Sequence, residues 1–234
     1  MNNDDTYEKK YRILRQQNLD AWTGEGYARA WEQLNHIFDM LNKNNLFPAP
    51  PAKFLELGCG NAAMSSQLMA QKGYDIYGID ISPTAIIWAN ERFSSLNLKG
   101  SFYVDNVCNI SHFPSESFDI IYDGSCLHCI IGEDRLTCFA EMKRLIKPDG
   151  ILIISTMCGL PKQQEDINNY DLESYQLYHE GQPWRTLKPL DCLKEEITNS
   201  GFSINYIHVN ENPWWDHATI VCKKINNSFI DICI

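Results

Sequence analysis

The sequence predicts an α/β fold, in which a doubly wound and mostly parallel sheet of seven strands is covered by helices. Short apolar runs alternate with segments of helical periodicity along most of the chain. Glycines follow the first of these runs, and an acidic residue ends the second. Strands that alternate with helices form a parallel sheet with right-handed crossovers, and such a sheet binds its ligand at the carboxyl ends of its strands.

The amino-terminal segment is predicted to be helical and to precede the sheet. Two helices are expected over residues 6–17 and 26–42, with a glycine-containing turn between them. In the second helix, apolar side chains recur every three or four positions at Tyr27, Trp31, Leu34, Ile37, Phe38 and Leu41. Prolines at positions 48, 50 and 51 end this helix. We therefore expect a helical segment over residues 1–47 and the main domain over residues 48–234.

The first strand and the turn after it have the composition of a nucleotide-binding unit. Phe54, Leu55 and Leu57 suit a buried strand, and Gly58 and Gly60 allow a tight bend in which the backbone approaches a ligand. A G-x-G-x-x-A spacing ends at position 63. A second strand, residues 74–80, ends in an acid about twenty residues after the glycines, where a carboxylate accepts ribose hydroxyls.

The rest of the main domain continues the alternation and is interrupted once. Helices are predicted over residues 62–71, 83–96, 133–147 and 189–200, and further strands over residues 101–104, 118–123, 151–156, 202–209 and 219–224. Residues 158–188 form a polar, aromatic insertion at the active-site edge, which we interpret as a cap.

Four motifs resemble the class I S-adenosylmethionine-dependent methyltransferases, over about residues 50–224. These are the segments 56–60, 78–80 and 145–153, together with Asp105 after the third strand. The resemblance implies a Rossmann-like fold, an antiparallel pair for the last two strands, and an N-terminal lid that closes over cofactor and acceptor. It implies S-adenosylmethionine as cofactor and leaves the acceptor open.

The resemblance also assigns roles to residues around the cofactor. Gly58 and Gly60 would pack against its methionine and ribose portions, Glu56 would reach the ammonium group, and Asp80 would accept the ribose hydroxyls. Asp105 and the backbone at Asn106 would bind the adenine, and Asp123 would lie at the methionine end. The full predicted cofactor set is Glu56, Gly58, Cys59, Gly60, Asp80, Ile81, Asp105, Asn106, Val107 and Asp123. Nicotinamide dinucleotide binding is the competing interpretation of the glycine turn, but the later motifs are not expected of dehydrogenases.

Candidates for the acceptor site follow the fourth strand and lie in two later loops. His128 is the candidate general base because imidazole titrates near neutral pH; the alternative is a histidine packed against the next helix. Cys126 and Cys129 form a C-x-x-C pair, which we interpret as structural because no second pair supports zinc, so no metal is expected. A thiol-bound arsenite acceptor stays as an alternative. Further candidates to contact the acceptor, or else to pack in the core, are Tyr27, Trp31, His179, Trp184, Arg185, Trp214, Trp215 and His217.

Composition argues against some classes of binding partner and indicates the cellular compartment. The net charge of −10 argues against a nucleic-acid backbone, as does the lack of an Asp-Pro-Pro-Tyr motif after the fourth strand. Nine cysteines in scattered positions suit a reducing compartment, and neither a signal peptide nor a membrane-spanning run is apparent, so we expect a cytoplasmic protein.

Taken together, the composition, the motifs and the family resemblance predict a methyltransferase that acts on a nitrogen or oxygen atom of a small molecule. The alternative is a protein methyltransferase that modifies a side chain or an N-terminus. A third interpretation is a cofactor-binding interaction subunit. The oligomeric state is left open.

Overall fold

A seven-stranded sheet forms the centre of the computed structural model, which describes residues 3–225. The strand order is β3-β2-β1-β4-β5-β10-β9. The strands are β1 (Lys53–Leu57), β2 (Asp75–Asp80), β3 (Gly100–Val104), β4 (Phe118–Gly124), β5 (Ile146–Cys158), β9 (Phe202–Asn210) and β10 (Asp216–Lys224). The first five are parallel, and β10 is antiparallel to both β5 and β9. The predicted fold class and the antiparallel last pair are confirmed.

Helices cover both faces of this sheet. The helices are α1 (Asn3–Gln16), α2 (Tyr27–Lys43), α3 (Ser65–Gln71), α4 (Pro83–Ser95), α5 (Asp134–Leu145), α6 (Gln164–Asn168) and α7 (Leu190–Asn199). On one face, Leu55 and Leu57 share a buried cluster with residues of α5 and α7. On the other face, Phe54 shares a cluster with residues of α2, α3 and α4. Alternate residues of β1 thus enter opposite halves of the core, as expected for a strand covered on both sides.

Local chemistry explains where two helices begin. Ser82 caps α4 by accepting a hydrogen bond from the Ala85 amide at 3.1 Å, with Pro83 at the first helical position, as predicted. Helix α3 begins at Ser65, three residues later than predicted, because Ala62 takes a positive φ of 53° and belongs to the turn.

The boundary between α5 and β5 also differs from the prediction. Helix α5 ends at Leu145 because Ile146 already pairs with Phe118. Strand β5 therefore begins five residues before the predicted 151–156 segment, and its register against β4 shifts between the Phe118–Ile146 pair and the Ile120–Ile151 pair.

Helix α1 is fastened to the amino end of α4. The Glu8 carboxylate accepts hydrogen bonds from the Ser82 hydroxyl and the Thr84 hydroxyl, both at 2.6 Å, and Arg15 pairs with Glu91 at 2.5 Å. Burial opposes ionisation of Glu8, but these hydrogen bonds outweigh it and lower its pKa to about 2. Because α4 starts just after β2, α1 lies over the carboxyl end of the sheet.

The insertion at 158–188 contains structure of its own. Helix α6 is followed by a small antiparallel sheet of β6 (Tyr170–Asp171), β7 (Gln176–His179) and β8 (Gln182–Thr186). Leu177 and Leu187 bury against Met157 of the main domain and anchor this cap. No helix within residues 3–225 combines the length and apolar character needed to cross a membrane. The last part of the predicted domain, residues 226–234, lies outside the described range.

Candidate cofactor and acceptor site

One large cavity opens at the carboxyl ends of the parallel strands. Its volume is about 1410 Å³, above the roughly 300–1,000 Å³ that is typical of a pocket for one small ligand. Most of the predicted site residues line it: Glu56, Gly58, Cys59, Gly60, Asp80, Ile81, Asp105, Asn106, Val107, His128, His179, Trp184, Arg185 and His217. The cavity therefore has room for a cofactor and a second molecule.

The glycine turn is enclosed from both sides. Gly58 and Gly60 have φ values of +64° and +54°, which L residues rarely adopt. A Cβ on Gly58 would lie 2.7 Å from the Cys126 Cβ, and a Cβ on Gly60 would lie 2.3 Å from the Tyr11 hydroxyl. Both positions therefore require glycine, for reasons of conformation and of space.

Asp80 is held in place by backbone amides and lies 7% exposed at the cavity wall. Its Oδ2 accepts the Gly60 amide and its Oδ1 accepts the Ser82 amide, each at 2.9 Å. Each carboxylate oxygen keeps a second lone pair, so the pair of oxygens can still accept two hydroxyls. Burial raises the pKa of Asp80 to about 6. This geometry fits the ribose diol of an adenosyl ligand.

Asp105 organises the loop after β3. Its Oδ2 contacts the Nδ1 of His112 at 2.6 Å and accepts the Ser111 amide at 3.1 Å. Partial burial opposes ionisation of Asp105, but the His112 contact and the amides lower its pKa. The Asn106 amide, expected to bind an adenine nitrogen, instead donates to the Asp105 Oδ1 at 2.9 Å. That amide is therefore engaged before any ligand binds.

The Glu56 carboxylate is engaged by the start of α3. It accepts hydrogen bonds from the hydroxyls of Ser65 and Ser66 and from the Ser66 amide, the last at 2.9 Å. Complete burial raises its pKa to about 7. The residue lines the cavity, but the hydrogen bonds found here join β1 to α3 and leave the expected ammonium contact without direct support.

Asp123 lies beneath the loop that follows β4 and is absent from the lining of the cavity. Its Oδ1 accepts the amides of Cys126 at 2.7 Å and Leu127 at 2.8 Å. Its Oδ2 is buried without a hydrogen-bond partner, and burial raises its pKa to about 7. The role found for Asp123 is to shape this loop; contact with the methionine end of the cofactor was expected and is not supported by this position.

The loop after β4 and the start of β10 each place a histidine at the cavity wall. His128 is buried, and this burial, with smaller effects of Arg185, His217 and Arg135, lowers its pKa well below the usual value, so the ring is neutral. Its Nδ1 is buried and has no partner. Ser125, at a positive φ of 71°, lies with its hydroxyl 3.2 Å from the Nε2 of His217.

Helix α1 and the cap meet across the cavity. The Arg185 guanidinium of β8 donates to the Tyr7 hydroxyl of α1 at 3.0 Å and lies 4.3 Å from the centre of the Trp184 ring. His179 packs near the same ring, with centroids 6.1 Å apart. The Arg185 guanidinium thus lies over the aromatic face of Trp184, where the cap borders the cavity.

Four predicted acceptor residues are not brought to the cavity. The Tyr27 hydroxyl donates to the Ala63 carbonyl at 3.0 Å, and Trp31 packs against the core formed by α2 and the sheet. Trp215 packs beneath the cap, and Trp214 is 49% exposed. The periodic apolar stripe of α2 is therefore a packing surface at these positions.

Three aromatic residues near the amino terminus line the cavity and were not predicted to do so. Tyr7, Tyr11 and Trp22 line it, and the Trp22 ring lies 5.7 Å from that of Tyr7 and 5.4 Å from that of Tyr11. The four-residue spacing of the two tyrosines on one face of α1 was the available signal.

Within residues 3–225, the two cysteines of the C-x-x-C pair do not belong to a group of side chains that could hold a metal ion. The eight cysteines between residues 3 and 225 are free thiols. Within that same range, no three histidine, cysteine or acidic side chains are grouped to hold an ion. Burial raises the pKa of Cys126 and Cys129, so both are protonated at neutral pH.

The chain matches a family model described as "Methyltransferase domain" over residues 55–154. It is 29% identical over 203 residues to a phosphoethanolamine N-methyltransferase of Arabidopsis thaliana, covering 84% of this chain and 39% of that protein. The chain thus spans about two fifths of the length of the curated relatives of this kind.

Two solved structures share the fold. A SAM-dependent methyltransferase from Methanosarcina mazei superposes with a TM-score of 0.69 at 23% identity, over 79% of this chain and 97% of its own. The 1,6-didemethyltoxoflavin-N1-methyltransferase of Burkholderia thailandensis, solved with bound 1,6-didemethyltoxoflavin and S-adenosylhomocysteine, superposes with a TM-score of 0.68 at 17% identity, over 95% of this chain and 87% of its own. With a family match over 100 of the 234 residues and this agreement of fold, the chain is similar to S-adenosylmethionine-dependent methyltransferases.

Proposed function

We propose that this chain transfers a methyl group from S-adenosylmethionine to a nitrogen or oxygen atom of a small-molecule acceptor. The observation that carries the proposal is a single cavity whose lining combines two sets of residues. One set is the glycine turn and Asp80, and the other comes from the loop after β4, the cap and His217. The proposed cofactor contacts are with Gly58, Gly60, Asp80 and the loop at 105–107.

The chain's own contribution would be orientation, exclusion of water and removal of a proton. S-adenosylmethionine supplies a methyl group that is already activated on a sulfonium. Helix α1 and the cap, joined through Tyr7 and Arg185, narrow the cavity mouth and restrict water. The neutral His128 ring can accept the proton that an acceptor N–H or O–H group loses, and because burial lowers its pKa it does so as a weak base. Holding the acceptor atom in line with the sulfonium supplies the remaining rate enhancement.

A phosphorylated primary amine is the first acceptor to test. The curated relatives over 84% of the chain are named phosphoethanolamine N-methyltransferases. Arg185, stacked on Trp184, offers a cation for a phosphate, since a guanidinium fork matches phosphate oxygens. Arg29 also lines the cavity and is exposed, which makes it a matched control.

The test is methyl transfer from labelled S-adenosylmethionine to phosphoethanolamine, to ethanolamine and to a cell lysate separated by size. We expect label in small molecules and a preference for phosphoethanolamine over ethanolamine. Arg185→Ala should reduce that preference, whereas Arg29→Ala should retain it. Label found only in macromolecules would overturn the small-molecule proposal in favour of a protein methyltransferase. Turnover that appears only with a partner protein would favour an interaction subunit.

A further inference from the structure

Helix α5 carries two arginines that bind the backbone of two different cavity loops. Arg135 donates from Nη1 to the carbonyl of Leu127 at 2.6 Å and to that of Ile130 at 3.4 Å. Nine residues later, Arg144 donates to the carbonyl of Ile110 at 2.7 Å and to that of Phe113 at 2.8 Å. Each guanidinium therefore spans two carbonyl groups of a single loop.

A glutamate holds each of these two arginines through a bidentate hydrogen-bonded contact. Arg135 donates from Nε and Nη2 to the two carboxylate oxygens of Glu196 on α7, at 2.8 and 2.6 Å. Arg144 does the same with Glu141 of its own helix, at 2.9 and 2.7 Å. A lysine cannot reproduce this geometry, because its ammonium lacks the planar fork.

The two loops contribute different residues to the lining of the cavity. The loop held by Arg144 follows Asp105 and Asn106, and its Ile110 amide also donates to Glu141 at 2.9 Å. The loop held by Arg135 carries His128. At the Ile130 carbonyl it also receives a hydrogen bond from the Thr186 hydroxyl of the cap, at 2.9 Å.

We propose that Arg135 and Arg144 are positioning residues, with Arg144 setting the loop on the cofactor side and Arg135 setting the His128 loop against the cap. This assignment of separate roles to the two arginines rests on the proposed function. Neither arginine lines the cavity, so each acts through the backbone that it holds. Helix α5 thus holds both loops, each through its own arginine.

The test compares Arg135→Lys with Arg144→Lys, each serving as the control for the other. Arg144→Lys should weaken S-adenosylhomocysteine binding in calorimetry by about tenfold, the scale of one lost charge-assisted hydrogen bond. Arg135→Lys should leave that affinity unchanged. It should lower kcat by about tenfold to a hundredfold, because a small misplacement of reacting groups costs this much.

Hydrogen exchange gives a second readout that needs no turnover. Arg144→Lys should speed exchange in peptides covering 105–113, and Arg135→Lys in peptides covering 124–131, with the other loop unchanged in each case. If Arg135→Lys does not fold, Thr186→Val removes one hydrogen-bond donor to the same loop. It should produce a smaller fall in kcat and a smaller rise in the exchange rate of residues 124–131. Equal effects of both lysine variants on both loops, or none on either, would overturn the proposal. An inactive wild-type enzyme would instead refute the proposed function.

Discussion

The sharpest single perturbation is the replacement of Asp80 by alanine. In the structure the Asp80 carboxylate joins the glycine turn to the start of α4, through the Gly60 and Ser82 amides at 2.9 Å. Its free lone pairs are the acceptors proposed for the ribose hydroxyls. Alanine would therefore remove the ligand contacts and also release two backbone amides of the turn.

The expected loss of cofactor affinity is about 2 kcal/mol, since a hydrogen bond to a charged group contributes about 1.5–3 kcal/mol. This corresponds to a rise of about thirtyfold in Kd. The sign of the pH dependence follows from the pKa of about 6. The ionised carboxylate is the stronger acceptor, so the affinity of the wild type should fall as pH drops through 6, and the alanine variant should lack that fall.

Calorimetric titration with S-adenosylhomocysteine at pH 5 and pH 8 measures both effects. Asp75→Ala is the matched control, because Asp75 lies exposed at the opposite end of the same strand. Its affinity should equal that of the wild type. An unchanged Kd for Asp80→Ala at pH 8 would refute the assignment of the ribose to this carboxylate.

Three further predictions concern the loop and the turn around the cavity. His128→Ala should lower kcat by roughly a hundredfold with cofactor affinity retained; a normal rate in the methyl-transfer assay would exclude it as the base. Gly60→Ala should weaken S-adenosylhomocysteine binding, because the added Cβ would meet the Tyr11 hydroxyl at 2.3 Å; Gly26→Ala, with open space around it, should not. The folded pKa of Asp123, about 7 against an ordinary 3.8, means that its stabilising contribution is present at low pH and lost as pH rises through 7. Asp123→Asn should gain stability relative to the wild type between pH 5 and pH 8, by at most about 1.4 kcal/mol per pH unit in urea unfolding; parallel curves would contradict this.

The main sheet could be predicted because the residue type at each strand position reflects whether that position is buried. Strands such as β1 and β4 are covered on both faces, and apolar residues occupy most of their positions. The Ser82-Pro83 pair marks the start of α4 by purely local chemistry. Glycines and acids at the strand ends then located the cavity, because parallel strands bring their carboxyl ends to one edge.

The rest of the site depends on contacts between distant parts of the chain. The cap strands have only two to five residues each, too few to show a period. The apolar periodicity of α2 does not distinguish residues that pack in the core from residues that contact a ligand. Tyr27 and Trp31 were therefore assigned to the cavity, while Tyr7 and Tyr11 were overlooked. The amide of Asn106 and the carboxylates of Glu56 and Asp123 already have partners in the structure, which residue spacing does not reveal.

A crystal structure with S-adenosylhomocysteine and phosphoethanolamine tests the central claim most directly. The account predicts the ribose hydroxyls within hydrogen-bond distance of Asp80, the adenine beside residues 105–107, and the sulfur facing the compartment bordered by His128 and Arg185. Adenosyl density away from the glycine turn, or an acceptor bound outside the space between that sulfur and the cap, would contradict it.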